Sequence, residues 1–317
     1  MTDASQQVQC KPANRVRWAN IERLRILAML DIIGFHAATH RTLLLGGLGL
    51  STFLMLTNLF NCTVSNKRGF CQFAKDKLNR LLYPWLFWCV VYAADKALTA
   101  ARKGVSIRDV FDPYMVFYGT NVHLWFVPFA LCSALIVGFL QARTAHLPHG
   151  IVILVAASIG ALTLLASAHL LDRYEFFTPF DQYIYALPST FIGFALGRTL
   201  LIDVPQQRRN VRLLFCAGAV VVAVSAMILP IELFPVRYAI SAILITGALA
   251  WPGKSDWLTT TMTPILLGVY LIHPLVIRIT KRSDVFDDYI AIYAATVFVL
   301  SAIAVWLMRK TRLARFT

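Results

Sequence analysis

Apolar residues run through this chain in ten long stretches separated by shorter polar ones. They lie at about 24–40, 43–62, 81–100, 122–141, 150–171, 183–202, 211–230, 235–251, 263–280 and 289–308. Most approach the roughly 20 apolar residues that an α-helix needs to cross a bilayer core of about 30 Å. The first is interrupted by Arg25, Asp31 and His36, and the eighth is short. Proline, glycine and charge collect between the stretches, and the longest connections fall at 62–80 and 101–121. No internal repeat, low-complexity tract or linker divides the chain. The pattern predicts an all-α, polytopic integral membrane protein with about ten transmembrane helices, forming a single domain over 1–317.

Composition supports this expectation. Of 317 residues, 58% are apolar and 15% are charged. Soluble domains carry about 25% charged residues, so the charges here are too few to coat a water-facing surface. Basic residues then set the expected orientation, because cytoplasmic loops are enriched in Lys and Arg. With both termini in the cytoplasm, the inner segments hold 19 of the 30 basic residues and 5 of the 16 acids. The inner face therefore carries the whole net charge of +14. It includes a basic N-terminal segment, 1–20, and a short basic tail, 309–317. Topology alone accounts for such a face, and a polyanionic cytosolic substrate is its other reading. The cations are scattered over loops rather than gathered with aromatic residues on one module, which argues against nucleic acid.

Residues 1–20 are polar and lead to no small-residue cleavage site, so the first stretch is expected to be an uncleaved anchor. Cys10, Cys62, Cys71, Cys89, Cys132 and Cys216 form no CxxC pair, which suggests neither a disulfide framework nor a zinc site. Of the histidines, only His36 and His40 share a helix face, and no acid or cysteine completes a metal site, so no metal is expected.

Ionisable groups inside a spanning helix are costly and so are candidates for function. The first helix reads Glu22-Arg-Leu-Arg25-Ile-Leu-Ala-Met-Leu-Asp31-Ile-Ile-Gly-Phe-His36. The eleven-residue step from Arg25 to His36 turns about 20° past three full turns and rises roughly 16 Å. One face thus carries a fixed cation near the cytoplasm and an imidazole deeper in, and it should line a polar cavity. The imidazole can take a proton near neutral pH, and the guanidinium can bind an anionic group. The plainer alternative is that Arg25 reaches the inner headgroups and His36 ends an ordinary anchor. Asp31 lies about 140° from His36 around the helix and is expected to pair structurally with a cation or to stay protonated.

Three further stretches put polar groups beside membrane helices. His123-Leu-Trp125-Phe opens the fourth. Tyr270-Leu-Ile-His273-Pro274 sits inside the ninth, where Pro274 frees a carbonyl one turn back. Lys77-Leu-Asn-Arg80 enters the third from the cytoplasm with two cations on one face. Taken singly, these are an aromatic belt, a packing histidine and topology markers.

Taken in order, Arg25-x10-His36 after Glu22, Lys77-x2-Arg80, His123-Leu-Trp125-Phe126 and Tyr270-Leu-Ile-His273-Pro274 resemble the motifs of the acyltransferase-3 family of membrane acyltransferases. The resemblance covers almost the whole chain, including the helix count. Three positions depart from the family pattern. The usual Phe-Phe-x-x-Ser-Gly-like run of the second helix is Phe53-Leu-Met-Leu-Thr57-Asn58, with a hydroxyl kept at Thr57 and Asn58 in place of glycine. The two-arginine cytoplasmic motif has Lys77 in first place. Asp31 stands where the family is usually apolar.

The resemblance implies acyl transfer from acetyl-CoA, a donor substrate rather than a resident cofactor, to a sugar hydroxyl. The acceptor would be a lipid-linked or polymeric saccharide of an exopolysaccharide, O-antigen or other envelope glycan in the bacterial cytoplasmic (inner) membrane. His36 and Arg25 would be catalytic. Lys77 and Arg80, with Arg208 and Arg209 as further candidates, would hold the donor phosphates. Thr57, His123, Trp125 and His273 would line the acceptor cavity. Succinyl in place of acetyl is an alternative, and membrane lipid and other polysaccharide assembly proteins are expected partners. Some relatives carry an extra esterase-like domain. None is expected here, so this chain either completes the transfer or hands the acyl group on. A flippase or exporter of a lipid-linked saccharide, and a non-catalytic scaffold, are the rival readings.

Overall fold

Each of the ten apolar stretches coincides with a helix or with consecutive helices in the computed structural model, which describes residues 18–38, 47–228, 233–251, 253–280 and 289–317. The helices are α1 (Ala19–Ala37), α2 (Leu48–Arg68), α3 (Phe70–Lys103), α4 (Met115–Tyr118), α5 (Phe126–Thr144), α6 (His149–Arg173), α7 (Phe180–Ala186), α8 (Pro188–Thr199), α9 (Pro205–Ile228), α10 (Leu233–Ala250), α11 (Trp257–Met262), α12 (Leu266–Thr280) and α13 (Ile290–Arg309). Short 3-10 turns at Val122–Trp125 and Thr263–Ile265 lead into α5 and α12. Among the described residues there is no strand.

Five helical runs are long and apolar enough to cross a membrane: 48–68, 122–144, 149–173, 257–280 and 290–309. The other stretches fall short for visible reasons. α1 carries Glu22, Arg23, Arg25 and Asp31, and α9 opens on Arg208, Arg209 and Arg212. α3 is flanked by charged turns. The sixth stretch is divided between α7 and α8, where Pro188 starts the second helix, and α10 is short and apolar over 234–250.

The expected long connection at 62–80 is helical. α2 runs on to Arg68, a single Gly69 at φ +70° breaks the chain, and α3 begins at once. Left-handed backbone costs glycine little. The first turns of α3 are amphipathic: Phe73 is fully buried, and Lys75 and Arg80 are exposed. The connection at 101–121 likewise holds α4 and a 3-10 turn, Ile107–Asp109.

α2 is the central helix and packs on α8, α5, α1 and α10. Its contact with α8 is a backbone approach across Gly193-x-x-x-Gly197. A Cβ at Gly193 would lie 2.6 Å from the Met55 carbonyl oxygen, and one at Gly197 would lie 2.7 Å from that of Leu59. Small residues at this spacing allow close dispersion contact where no hydrophobic force drives helices together in lipid. Asn58 is buried in the same seam, with its amide donating to the carbonyls of Leu54 and Ser189, so it faces α8.

Two charged residues have structural roles: Arg198, counted above among the inner-face cations, and Asp31, expected to pair structurally with a cation or to stay protonated. Arg198 is 1% exposed. It donates to Gln141 Oε1 at 3.1 Å and to the carbonyls of Thr144 and Leu147, which closes the turn between α5 and α6. Asp31 accepts the backbone N–H of Gly49 at 2.7 Å, capping the start of α2, with Arg237 acting on it from α10. At the N-terminal end of α1, Arg23 donates to Asp256, which also caps α11 through Thr259 N–H. These bonds hold the Asp256 carboxyl down at about 2, the Thr259 backbone bond first and Arg23 next. They tie the first helix to the connection before the ninth stretch.

Candidate active site

The site begins with one missing hydrogen. Pro274 has no N–H to give the carbonyl of Tyr270, one turn earlier in α12. His273 supplies the donor instead, its Nδ1 lying 2.6 Å from that oxygen. The bond sets the ring and its tautomer, and leaves Nε2 as a buried acceptor with no hydrogen-bond partner. The next carbonyl, Leu271, accepts the Tyr92 hydroxyl at 2.8 Å and faces His123 Nε2 at 3.4 Å. With Nε2 donating, His123 Nδ1 is a second buried acceptor without a partner. Tyr270 closes the circuit by donating its hydroxyl to the His123 carbonyl. The kink in α12 thus fixes groups from α3, from the turn before α5 and from α12 itself.

His36 completes the group from α1. Its ring centroid is 5.3 Å from that of His273, which is 5.7 Å from that of His123. His123 is 4% exposed and His273 is fully buried, whereas His36 is exposed. His36 is therefore the open member of the group. The two buried rings form the wall behind it.

Arg25 stands apart from this group, roughly 16 Å along α1. It pairs with Glu22 at 3.2 Å and lies 5.8 Å from the ring centroids of both Phe53 and Phe60. Lys77 and Arg80 belong to the same cluster, since Arg80 acts electrostatically on Arg25 and both act on Lys77. Lys77 precedes the stretch 81–100. Burial first, and then Arg80, Arg25 and Arg68, push its amine down to about 8. The cluster holds four neighbouring cations, Arg25, Arg68, Lys77 and Arg80, against two acids, Glu22 and Asp76, which leaves it short of anions.

The remaining expected residues are less direct. Trp125 is buried, with the rings of Phe126, Phe129 and Tyr183 about it at centroid distances of 6.0 to 6.2 Å. It is part of an aromatic wall rather than an open stacking surface. The Thr57 hydroxyl donates to the Phe53 carbonyl of its own helix at 2.8 Å. Arg208, on α9, donates to the Ile202 carbonyl just before that helix, and α9 packs on α10 and α8. His40 lies outside the described residues. Tyr92 was not singled out from sequence, since a tyrosine inside an apolar run gives no signal of its own. Among the described residues no cluster of His, Cys, Asp or Glu could hold a metal ion. An apolar groove of about 480 Å³ lies between α6, α8, α9 and α10, but Tyr238 is its one ionisable lining group.

Neither the curated proteins nor the solved structures compared with the chain give a match. The model of the acyltransferase-3 family, described as an acyltransferase domain, matches residues 18–309. That span holds both the histidine group and the cationic cluster, and the chain belongs to this family of acyltransferases.

Proposed function

We propose that the protein transfers an acetyl group from cytosolic acetyl-CoA to a sugar hydroxyl of a bacterial envelope glycan. It does so from the inner membrane, which it crosses ten times with both termini in the cytoplasm. The observation that carries this reading is the meeting of three histidines from separate elements, His36, His123 and His273, at the far end of a helix face that begins in a cationic cluster. That arrangement suits a long donor with phosphates at one end and a reactive thioester at the other.

Lys77, Arg80 and Arg25 take the phosphates, the two arginines through paired N–H donors and the lysine as a point charge. Arg25 is too far from His36 to meet the reacting atoms, so its role is to orient the donor. At the thioester, His36 accepts the proton of the acceptor hydroxyl. The hydroxyl oxygen bonds to the acyl carbon, the carbon–sulfur bond breaks, and the sulfur leaves with the electron pair. The proton on His36 then passes to the thiolate, giving free CoA and the ester. His273 and His123 hold two fixed acceptor nitrogens behind His36. They favour its protonated form during transfer.

The test is donor dependence in purified protein with a lipid-linked saccharide fraction. Acceptor-dependent release of CoA thiol, one per ester formed, is the expected result. Saccharide movement across the bilayer without CoA release would replace the reading with a transporter.

A further inference from the structure

The segment after α13 was expected to be a short basic tail, and its packing was not foreseen. Residues Arg312–Phe316 form a 3-10 turn that packs on both α3 and α13. The indole Nε1 of Trp88 donates to the Phe316 carbonyl at 3.1 Å. The Phe316 ring stacks flat on Phe87, with centroids 4.3 Å apart and planes 6° apart. Thr317 reaches α12, where a Cβ on Gly268 would come within 3.1 Å of the Thr317 Cβ. One short segment therefore bridges α3, α12 and α13.

Its depth matters. Trp88 lies eleven residues after Lys77, on the same face of α3 and about 16 Å further in. Above it, the Trp88 ring is 5.9 Å from Tyr92, and Tyr92 is 4.9 Å from His123. Gly268 lies five residues before His273, or about 7.5 Å along α12. Along α3 and α12, Phe316 and Thr317 thus lie half-buried at a level between Lys77 and the histidines, and residues 312–315 are exposed. The segment is latched there by one neutral hydrogen bond and one ring stack.

We propose that residues 312–317 are a gate on the donor path, displaced when the thioester arm of an acyl-CoA threads from Lys77 and Arg80 to His36. The inference rests on the donor assignment above. Closed, the segment occupies the space along α3 and α12; open, it gives its place to the linear arm. The closed state lowers the apparent donor affinity by the fraction of molecules it holds.

The first experiment uses the full chain carrying Phe87→Cys and Phe316→Cys, oxidised with copper–phenanthroline beside an equally treated wild type. The expected result is a cross-linked protein that loses acyl transfer, regains it on reduction, and still binds adenosine 3′,5′-bisphosphate, which has phosphates but no arm. Full activity while cross-linked, or no cross-link at all, overturns the gate and leaves the acyltransferase reading intact. Wild type that is inactive with every acyl-CoA overturns both. A second variant, Trp88→Phe with Phe316→Ala, keeps a ring on α3 and removes the latch. It should lower the acyl-CoA KM by about threefold to tenfold, the weight of one hydrogen bond. An unchanged KM contradicts the proposal.

Discussion

Pro274 shows how a single residue organises the site. Its missing N–H leaves the Tyr270 carbonyl to His273 Nδ1. Pro274→Ala restores a competing backbone donor and frees the ring, so transfer should fall by at least about tenfold in protein that still inserts, since a positioned acid–base group is worth about 10² to 10⁴. An unchanged kcat would mean that the ring orientation is not used. Lys77 makes a second prediction. Its amine is pushed down to about 8 by burial and by neighbouring cations, so it is charged below that pH and neutral above it. The acyl-CoA KM should rise as pH passes upward through about 8. Lys77→Arg, which stays charged, should flatten the profile. Identical profiles for the two proteins would remove Lys77 from the donor site. The shared face of Arg25 and His36 was legible in the sequence because helix geometry fixes it. The role of Asp31 was not, because its partner is a backbone N–H eighteen residues away.

At the scale of elements, hydropathy located the helices better than it located their joints. It marks where a helix can sit in lipid, so the amphipathic first turns of α3 looked like a loop, and so did the end of α2. The break between α7 and α8 was hidden because both halves are apolar. The α2–α8 seam depends on spacing that only the packed structure makes meaningful. Gly193→Ala and Gly197→Ala each force a methyl group toward a backbone oxygen. Each should cost about 1–3 kcal/mol, as overpacking does, and should lower the melting temperature of detergent-purified protein. Unchanged melting temperatures would contradict so close an approach.

For the molecule as a whole, five helical runs are apolar enough to cross on their own, and the proposed ten crossings need the polar helices to be sheltered by them. α1 is sheltered in this way, packed among α2, α13, α10 and α12. The proposed topology puts Ser106 outside and Gln206 inside. An impermeant thiol reagent on intact cells should label Ser106→Cys at once and Gln206→Cys only after permeabilisation, and the reverse pattern would invert the topology. The same packing places the charged face of α1 at the centre of the proposed chemistry, with His36 at its accessible end. The most direct test is transfer of label from radioactive acetyl-CoA into the envelope glycan fraction, in inverted membrane vesicles holding wild-type or His36→Ala protein at matched levels. Label incorporated with wild type and reduced at least about a hundredfold with His36→Ala is the predicted result. Equal incorporation by the two proteins would contradict His36 as the proton acceptor.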